Sequence, residues 1–212
     1  MKKALTIEET QRAVCRMSEA IIENEPYLTE LDQKIGDGDH GINMKLGFTS
    51  VKDTLLSHTY DSINQVFYET GIALIKSMGG ASGVIFGTLF IGGMKDMPAA
   101  DVLDAKFLAD YMEHSLQSIQ RRGKAEFGQK TMLDALGPAV KALEKYRDEP
   151  LEKALEAASE AACKGAGDTR NMIPRAGRSR QYAEKALGHA DSGAVSTAIL
   201  FEAFYKCVSK EM

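Results

Sequence analysis

The sequence predicts an all-α fold, a single domain of about eight amphipathic helices in an up-and-down antiparallel bundle. Three observations point there. Apolar residues recur at helical spacing in segment after segment. No run of alternating polar and apolar residues is long enough to insist on a strand. The composition has no tryptophan and 7% aromatics and is rich in Ala, Leu, Met, Glu and Lys, a mix that favours helix over strand.

The elements follow in order. Thr6 and Glu9 form a capping-box pattern ahead of Val14, Met17 and Ile21, which share a face until Pro26. A helix near 41–56 comes next. From Ser62 onward Ile63, Val66, Phe67, Leu74 and Ile75 share another face, and a further helix is expected near 81–95. After Asp104, the residues Phe107, Leu108, Tyr111, Met112, Leu116 and Ile119 form a stripe, with Gly123 where a helix would stop. Thr131 to Tyr146 carries Met132, Leu136, Val140 and Leu143. Pro150 suits a first helical position, and Leu151, Ala154, Leu155, Ala158 and Ala162 continue to Gly165. The last helix is expected to begin near Ser192 and to use Val195, Ile199 and Val208, with Phe201 and Tyr205 close by.

Most connections are short, as neighbouring antiparallel helices require. One is not. Between Gly165 and Asp191 lie Gly167, Pro174, Gly177 and Gly188 with Arg170, Arg175, Arg178 and Arg180, a long, basic, glycine-punctuated segment of the kind that forms lids or stays disordered. No internal repeat or linker divides residues 1–212, so one domain is expected, with 165–191 as its lid loop.

Charge and cysteine usage narrow the function classes. Twenty-six basic residues against 30 acidic ones leave a formal net charge of −4, which argues against a general binder of nucleic acid or anionic membrane. Cys15, Cys163 and Cys207 are odd in number and widely separated, which indicates neither a disulfide framework nor a zinc knuckle. The opening MKKALTIEETQ lacks the apolar run of a secretory signal. The longest apolar-leaning stretch, Gly83 to Met94, falls short of the roughly 18 residues that a membrane span needs. The expected location is the cytoplasm.

The most informative stretch is Leu31 to Gly41, LDQKIGDGDHG. Asp32, Asp37 and Asp39 in a glycine-rich turn crowd several oxygens into a small volume, where they would repel one another without a hard cation between them. Magnesium fits that donor set; the alternative is a solvated acidic turn with an aspartate as helix cap. Gly36, Gly38 and Gly41 match the dinucleotide fingerprint, but no strand precedes them and the aspartates would oppose a bare pyrophosphate. A calcium-binding EF-hand beginning at Asp37 would need an acid where Phe48 stands. The remaining reading is indirect phosphate binding, with carboxylates holding magnesium and magnesium holding the phosphates. His40 would then either donate to a phosphate or brace the turn.

A second candidate is Met78 to Gly87, MGGASGVIFG, where glycines and Ser82 precede an apolar helix. It reads either as an anion nest or as glycines placed for close helix packing. No lysine follows as in a Walker loop.

Four stretches taken together, LDQKIGDGDHGINMKLGF, SMGGASGVIFGTLF, RRGKAEFGQKTMLDAL and GRSRQYAEKALGHADSGA, resemble the nucleotide-binding L subunits of dihydroxyacetone kinases, in the same order and over nearly the whole chain. The resemblance implies an antiparallel eight-helix barrel with the nucleotide at one end. It implies that Asp32, Asp37 and Asp39 hold magnesium, two ions bridging the diphosphate, and that His40, Gly41, Asn43, Ala81 and Ser82 line the phosphates. Gly123, Thr131 and Met132 take the nucleoside-contacting positions. Arg178, the catalytic assignment, and the Asp191, Ser192, Gly193 turn belong to the segment that closes over ADP or ATP. The family often has PGDKTM where this chain has Phe127 to Met132, FGQKTM, and DPG where it has Asp191 to Gly193, DSG.

The resemblance also implies partners. A K subunit holds dihydroxyacetone covalently through a histidine, and in the phosphotransferase-linked version a phosphohistidine M subunit recharges ADP held as a cofactor. The unfused length favours that version over free ATP as donor. Two other outcomes stay open: an ATP-dependent kinase for another short ketose such as erythrulose, and a non-catalytic magnesium-nucleotide sensor. Pairing of the chain with itself is also open.

Overall fold

Each helix buries the face that its sequence period marks, and the buried faces meet in one core. In the computed structural model, which describes residues 1–209, the helices are α1 (Ile7–Glu23), α2 (Glu25–Ile35), α3 (His40–Leu56), α4 (Ile63–Ser77), α5 (Gly80–Ile91), α6 (Ala105–Gly123), α7 (Leu133–Lys145), α8 (Leu151–Asp168) and α9 (Ser192–Ser209). Packing runs from α1 to α3, then through α4, α5, α6, α7, α8 and α9, and α9 returns to α1. That circuit is the eight-helix barrel; α2 packs on α3 as a ninth helix among the described residues.

The capping box at the start of α1 is formed: Thr6 Oγ1 accepts from Glu9 N at 3.3 Å, and the Glu9 carboxylate accepts from Thr6 N at 2.9 Å. Val14, Met17 and Ile21 are buried, as their spacing requires. Pro26 does not simply end this helix. It opens α2, where a proline's missing N–H costs nothing, and α2 carries Asp32 on its buried side. In α6, Leu108, Tyr111, Met112, Leu116 and Ile119 are buried, and Tyr111 donates its hydroxyl to the Phe90 carbonyl of α5.

Three details differ from the periodic expectation. Ile75 of α4 is exposed, although its flank packs beside Gly87. In α9 Val208 is buried as expected, but the rest of the core face is Ala194, Ala198, Leu200, Phe201 and Phe204, while Val195 and Ile199 are only half-buried. Gly165 is not a helix stop. Pro138 of α7 offers no N–H to the Asp134 carbonyl, and Gly165 packs against that carbonyl so closely that a β-carbon would lie 2.1 Å from it. α8 therefore runs on to Asp168.

Two short strands, too brief to show as alternation, pair antiparallel: β1 (Ala4–Thr6) and β2 (Val102–Asp104), with Leu5 opposite Leu103. They tie the start of α1 to the start of α6, and both leucines are buried. Among the described residues no helix is long and apolar enough to cross a membrane.

Candidate functional site

The starts of four helices converge on one cleft. His40 at the beginning of α3, Ala81 and Ser82 in the first turn of α5, Thr131 and Met132 just ahead of α7, and Ser192 and Gly193 opening α9 all line it. A helix N-terminus presents unpaired amides and the positive end of the backbone dipole, so four of them together favour an anion.

Into this positive setting the chain places three carboxylates. Asp32 lies in the last turn of α2, and Asp37 and Asp39 follow in the turn to α3; one oxygen from each lies within 4.8 Å of the others. The turn is built around Asp32, whose Oδ2 accepts from Gly38 N at 2.9 Å and from His40 N at 3.4 Å. Gly38 adopts φ +78°, which L side chains rarely take. Asp32 Oδ1 accepts from Ser192 Oγ at 3.0 Å, joining α2 to α9. Asp32 Oδ1, with one donor on it, keeps a second lone pair to spare, and three hard oxygen donors converging at this spacing fit a magnesium ion.

Arg178 already meets that negative charge. Its Nη1 pairs with Asp37 and lies 3.1 Å from Asp39 Oδ2. Its other terminal nitrogen reaches the turn before α5, where a β-carbon on Gly80, at φ +66°, would sit 3.4 Å from Nη2. The guanidinium therefore spans the cleft from the carboxylates to the glycine turn.

His40 is buried and turned inward. Its Nε2 lies 2.8 Å from Ser196 Oγ, which donates to the Ser192 carbonyl at 2.9 Å, and its ring contacts Phe86. Burial lowers its pKa, with partial opposition from Asp32. Of its two expected roles, bracing the turn is the one these contacts serve.

Three expected residues stand just outside the cleft lining. Gly41 packs on α2, where a β-carbon would lie 2.5 Å from the Glu25 carbonyl oxygen and 2.3 Å from Thr29 Oγ1. Asn43 faces the turn before α5, near Gly79. Gly123, exposed at the end of α6, sits beside Ile85, which does line the cleft.

The basic segment after α8 folds over the cleft. Short 3₁₀ turns at Thr169–Asn171 and Arg178–Ala186 carry it, the second broken at Ala183 with φ 45°. Tyr182 donates its hydroxyl to the Gly36 carbonyl at 2.7 Å and fastens the segment to the carboxylate turn. Asp191, at its end, accepts from Ala194 N at 2.8 Å and caps α9. Burial pushes the Asp191 carboxyl up to about 7, against the lowering influence of the Ala194 N–H and Lys130.

Sequence reasoning passed over two residues behind the cleft. Lys130 is fully buried, and its ammonium donates to the carbonyls of Thr169 at 2.7 Å, Ala186 at 3.0 Å and His189 at 2.6 Å. Asp134 accepts from Gly128 N at 2.5 Å and Thr131 N at 2.8 Å, shaping the turn on which Lys130 sits. The available signal was local: a lysine and an aspartate flanking a glycine turn that also supplies Thr131 and Met132.

The DAK2 domain matches residues 34–206. The chain belongs to the DAK2-domain family. Among DAK2-domain relatives, the ADP-binding subunit DhaL of the PEP-dependent dihydroxyacetone kinase of Escherichia coli is 39% identical over 178 residues, covering 83% of this chain and 85% of that subunit. The ADP-binding subunit DhaL of PEP-dependent dihydroxyacetone kinase 1 of Listeria innocua is 36% identical over 187 residues, 87% of this chain and 88% of that one. The dihydroxyacetone kinase of C. freundii in complex with AMP-PNP and Mg2+ superposes with a TM-score of 0.75 at 25% identity over 97% of this chain, which spans 35% of that kinase's length. The resemblance read from the four sequence stretches is thereby borne out, and the helical barrel is the DAK2-domain fold.

Proposed function

We propose that this chain is the nucleotide-binding, phosphoryl-transferring subunit of a dihydroxyacetone kinase and works in the cytoplasm. On this reading it holds ADP or ATP with two magnesium ions at Asp32, Asp37 and Asp39. The nucleotide takes phosphate from a phosphohistidine M partner and passes it to dihydroxyacetone held on a K partner.

One observation carries the reading: three carboxylates, four helix N-termini and Arg178 share a single cleft. The carboxylates alone would repel a phosphate, and the helix ends and guanidinium alone would repel a metal ion. A magnesium-bound diphosphate satisfies both. Bound there, magnesium neutralises the charge of the phosphate chain.

The side chains divide the remaining work. Ser82 and the first amides of α5 face the phosphates, with the Ser192 and Gly193 turn opposite them. Thr131, Met132 and Ile85 wall the nucleoside end, with Gly123 at its rim. Gly41 sets the α2–α3 approach that positions Asp32, and Asn43 supports the glycine turn. Arg178 supplies a positive charge from the 169–191 segment, suited to the charge on a phosphoryl group in transfer. His40 is engaged by Ser196, which supports the view that the phosphohistidine and the ketose-binding histidine come from partner proteins.

Thermal unfolding with Mg2+ alone, ADP alone and both together tests the site. Selective binding to the folded state stabilises it by about 2.7 kcal/mol at a hundredfold excess over Kd. A large shift with the pair only is expected, and no shift would sink the reading. Adding K-type and M-type partners with dihydroxyacetone then tests transfer. Transfer to erythrulose instead would reassign the substrate, and tight binding without turnover in every mixture would make the chain a nucleotide sensor.

A further inference from the structure

Lysine is seldom fully buried, because its ammonium must recover in the protein the three hydrogen bonds it gives up in water. Lys130 has no exposed surface, and each ammonium hydrogen has one carbonyl acceptor. These acceptors are all far from Lys130 in sequence and share one property. Thr169 begins the basic segment, and Ala186 and His189 close it.

The turn that carries Lys130 holds the segment at a further point, since the Gln129 carbonyl accepts from Arg175 N at 3.2 Å. The two feet are also joined directly. Gly188 N donates to the Arg170 carbonyl at 2.8 Å, and Asp191 N donates to Thr169 Oγ1 at 3.0 Å. On its other side the same turn presents Thr131 and Met132 to the cleft. The backbone at Lys130 itself is left-handed, with φ 60°, a conformation that costs a non-glycine residue free energy and is retained here under the two Asp134 hydrogen bonds.

We propose that Lys130 is a positioning residue. Its ammonium locks both feet of the 169–191 segment to the nucleoside wall of the cleft and thereby fixes where Arg178 stands. Arg178 lies between the two anchored feet, so its reach to Asp37 and Asp39 depends on how those feet are held. The link to nucleotide retention rests on the magnesium-nucleotide reading above. The anchoring of the segment does not.

Hydrogen exchange of the full chain, followed by mass spectrometry, tests the anchor without any ligand. In Lys130→Met the amides of 170–188 are expected to exchange at least about tenfold faster, while those of α1 and α6 keep their rates. Lys130→Gln, which can still offer a donor, should lie between, and it carries the test if the methionine variant does not fold. Unchanged exchange in 170–188, or equal acceleration in every helix, overturns the proposal.

Release of a fluorescent ADP analogue in Mg2+ then tests the route through Arg178. Lys130→Met and Arg178→Ala should each speed release, and the double variant should release no faster than Arg178→Ala alone. Additive effects would overturn the link between the two residues. If the wild-type chain binds no magnesium nucleotide, the site reading fails, whereas faster exchange confined to 170–188 still establishes the anchor.

Discussion

Arg178 and Asp39 are 139 residues apart in sequence, and Nη1 of one lies 3.1 Å from Oδ2 of the other. The contact brings the basic segment down onto the carboxylate turn and sets a positive group against the proposed metal ligands. Replacing Arg178 with alanine should have opposite effects on two measurements. Binding of Mn2+ alone, followed by electron paramagnetic resonance, should tighten several-fold because two carboxylates lose their guanidinium. Phosphoryl transfer in the reconstituted system should fall by about 10³ if Arg178 stabilises the transferring group. Unchanged Mn2+ affinity would mean that the ion pair does not compete with metal.

Asp37→Asn removes the negative charge and one carboxylate oxygen while keeping the shape of the side chain. Magnesium-dependent ADP binding is expected to weaken by about 100-fold or more, with the far-ultraviolet circular dichroism of the helices unaltered. Isothermal titration calorimetry at fixed ADP and varied Mg2+ checks this. Full retention of magnesium dependence would remove Asp37 from the metal site.

Gly41→Ala separates a packing role from a phosphate-contacting role. Alanine gains about 1 kcal/mol of helix propensity over glycine. The new β-carbon, however, would meet the Glu25 carbonyl and the Thr29 amide at 2.5 Å, and backbone cannot yield as a side-chain tip does. A net loss of about 1–3 kcal/mol in urea unfolding is expected from overpacking. A stabilised variant that still binds nucleotide weakly would instead favour direct contact between the Gly41 backbone and phosphate.

Asp191 gives the metal-free protein a pH signature. Its carboxyl titrates near 7 in the folded chain and near 3.8 unfolded, so the folded state binds the extra proton between these values. Stability from this group is present in full below the unfolded pKa and is lost as pH rises toward 7. Glu9 and Glu19, lowered by their hydrogen bonds to Lys2 and Lys52, act in the opposite sense at more acidic pH. Comparison with Asp191→Asn isolates the effect: between pH 5 and about 7 the wild-type Tm should fall more steeply than that of the variant. Parallel Tm curves would show that Asp191 does not titrate in this range.

Tyr182→Phe removes the hydroxyl that holds the basic segment to the Gly36 carbonyl. A single hydrogen bond contributes about 1 kcal/mol, so release of a fluorescent magnesium-ADP analogue should quicken by about fivefold in stopped flow. An unaltered release rate would leave the anchoring to Lys130 and Arg178.

Much of this was legible before the structure. The stripes of α1, α6, α7 and α8 are wide and regular, and their residues are buried where the period puts them, with Phe107 of α6 half-buried at the edge. α2 was missed because Pro26 reads equally as the end of one helix and the beginning of the next, and Asn24 alone separates the two. The face of α9 was only partly legible: Val208 is buried as expected, but small residues, Leu200 and the phenylalanines Phe201 and Phe204 make up most of the rest, and Val195 and Ile199 lie at its flank. The carboxylates announced themselves through their glycine-rich spacing. Lys130 did not, since a lysine in a polar stretch reads as surface, and only the folded segment brings three carbonyls from residues 169–189 to it.

The convergence of four helix starts has a consequence for how this site tolerates change. Much of its attraction for phosphate comes from peptide groups, which every residue carries, and not from side chains that a single substitution could delete. Sequence can therefore drift widely around the rim while the field at the centre persists, provided the helices keep their lengths and tilts. Variation is then expected to collect in what the cleft meets, the docking proteins and the acceptor, and the few aspartates and Arg178 are left as the points where one changed base pair would silence it.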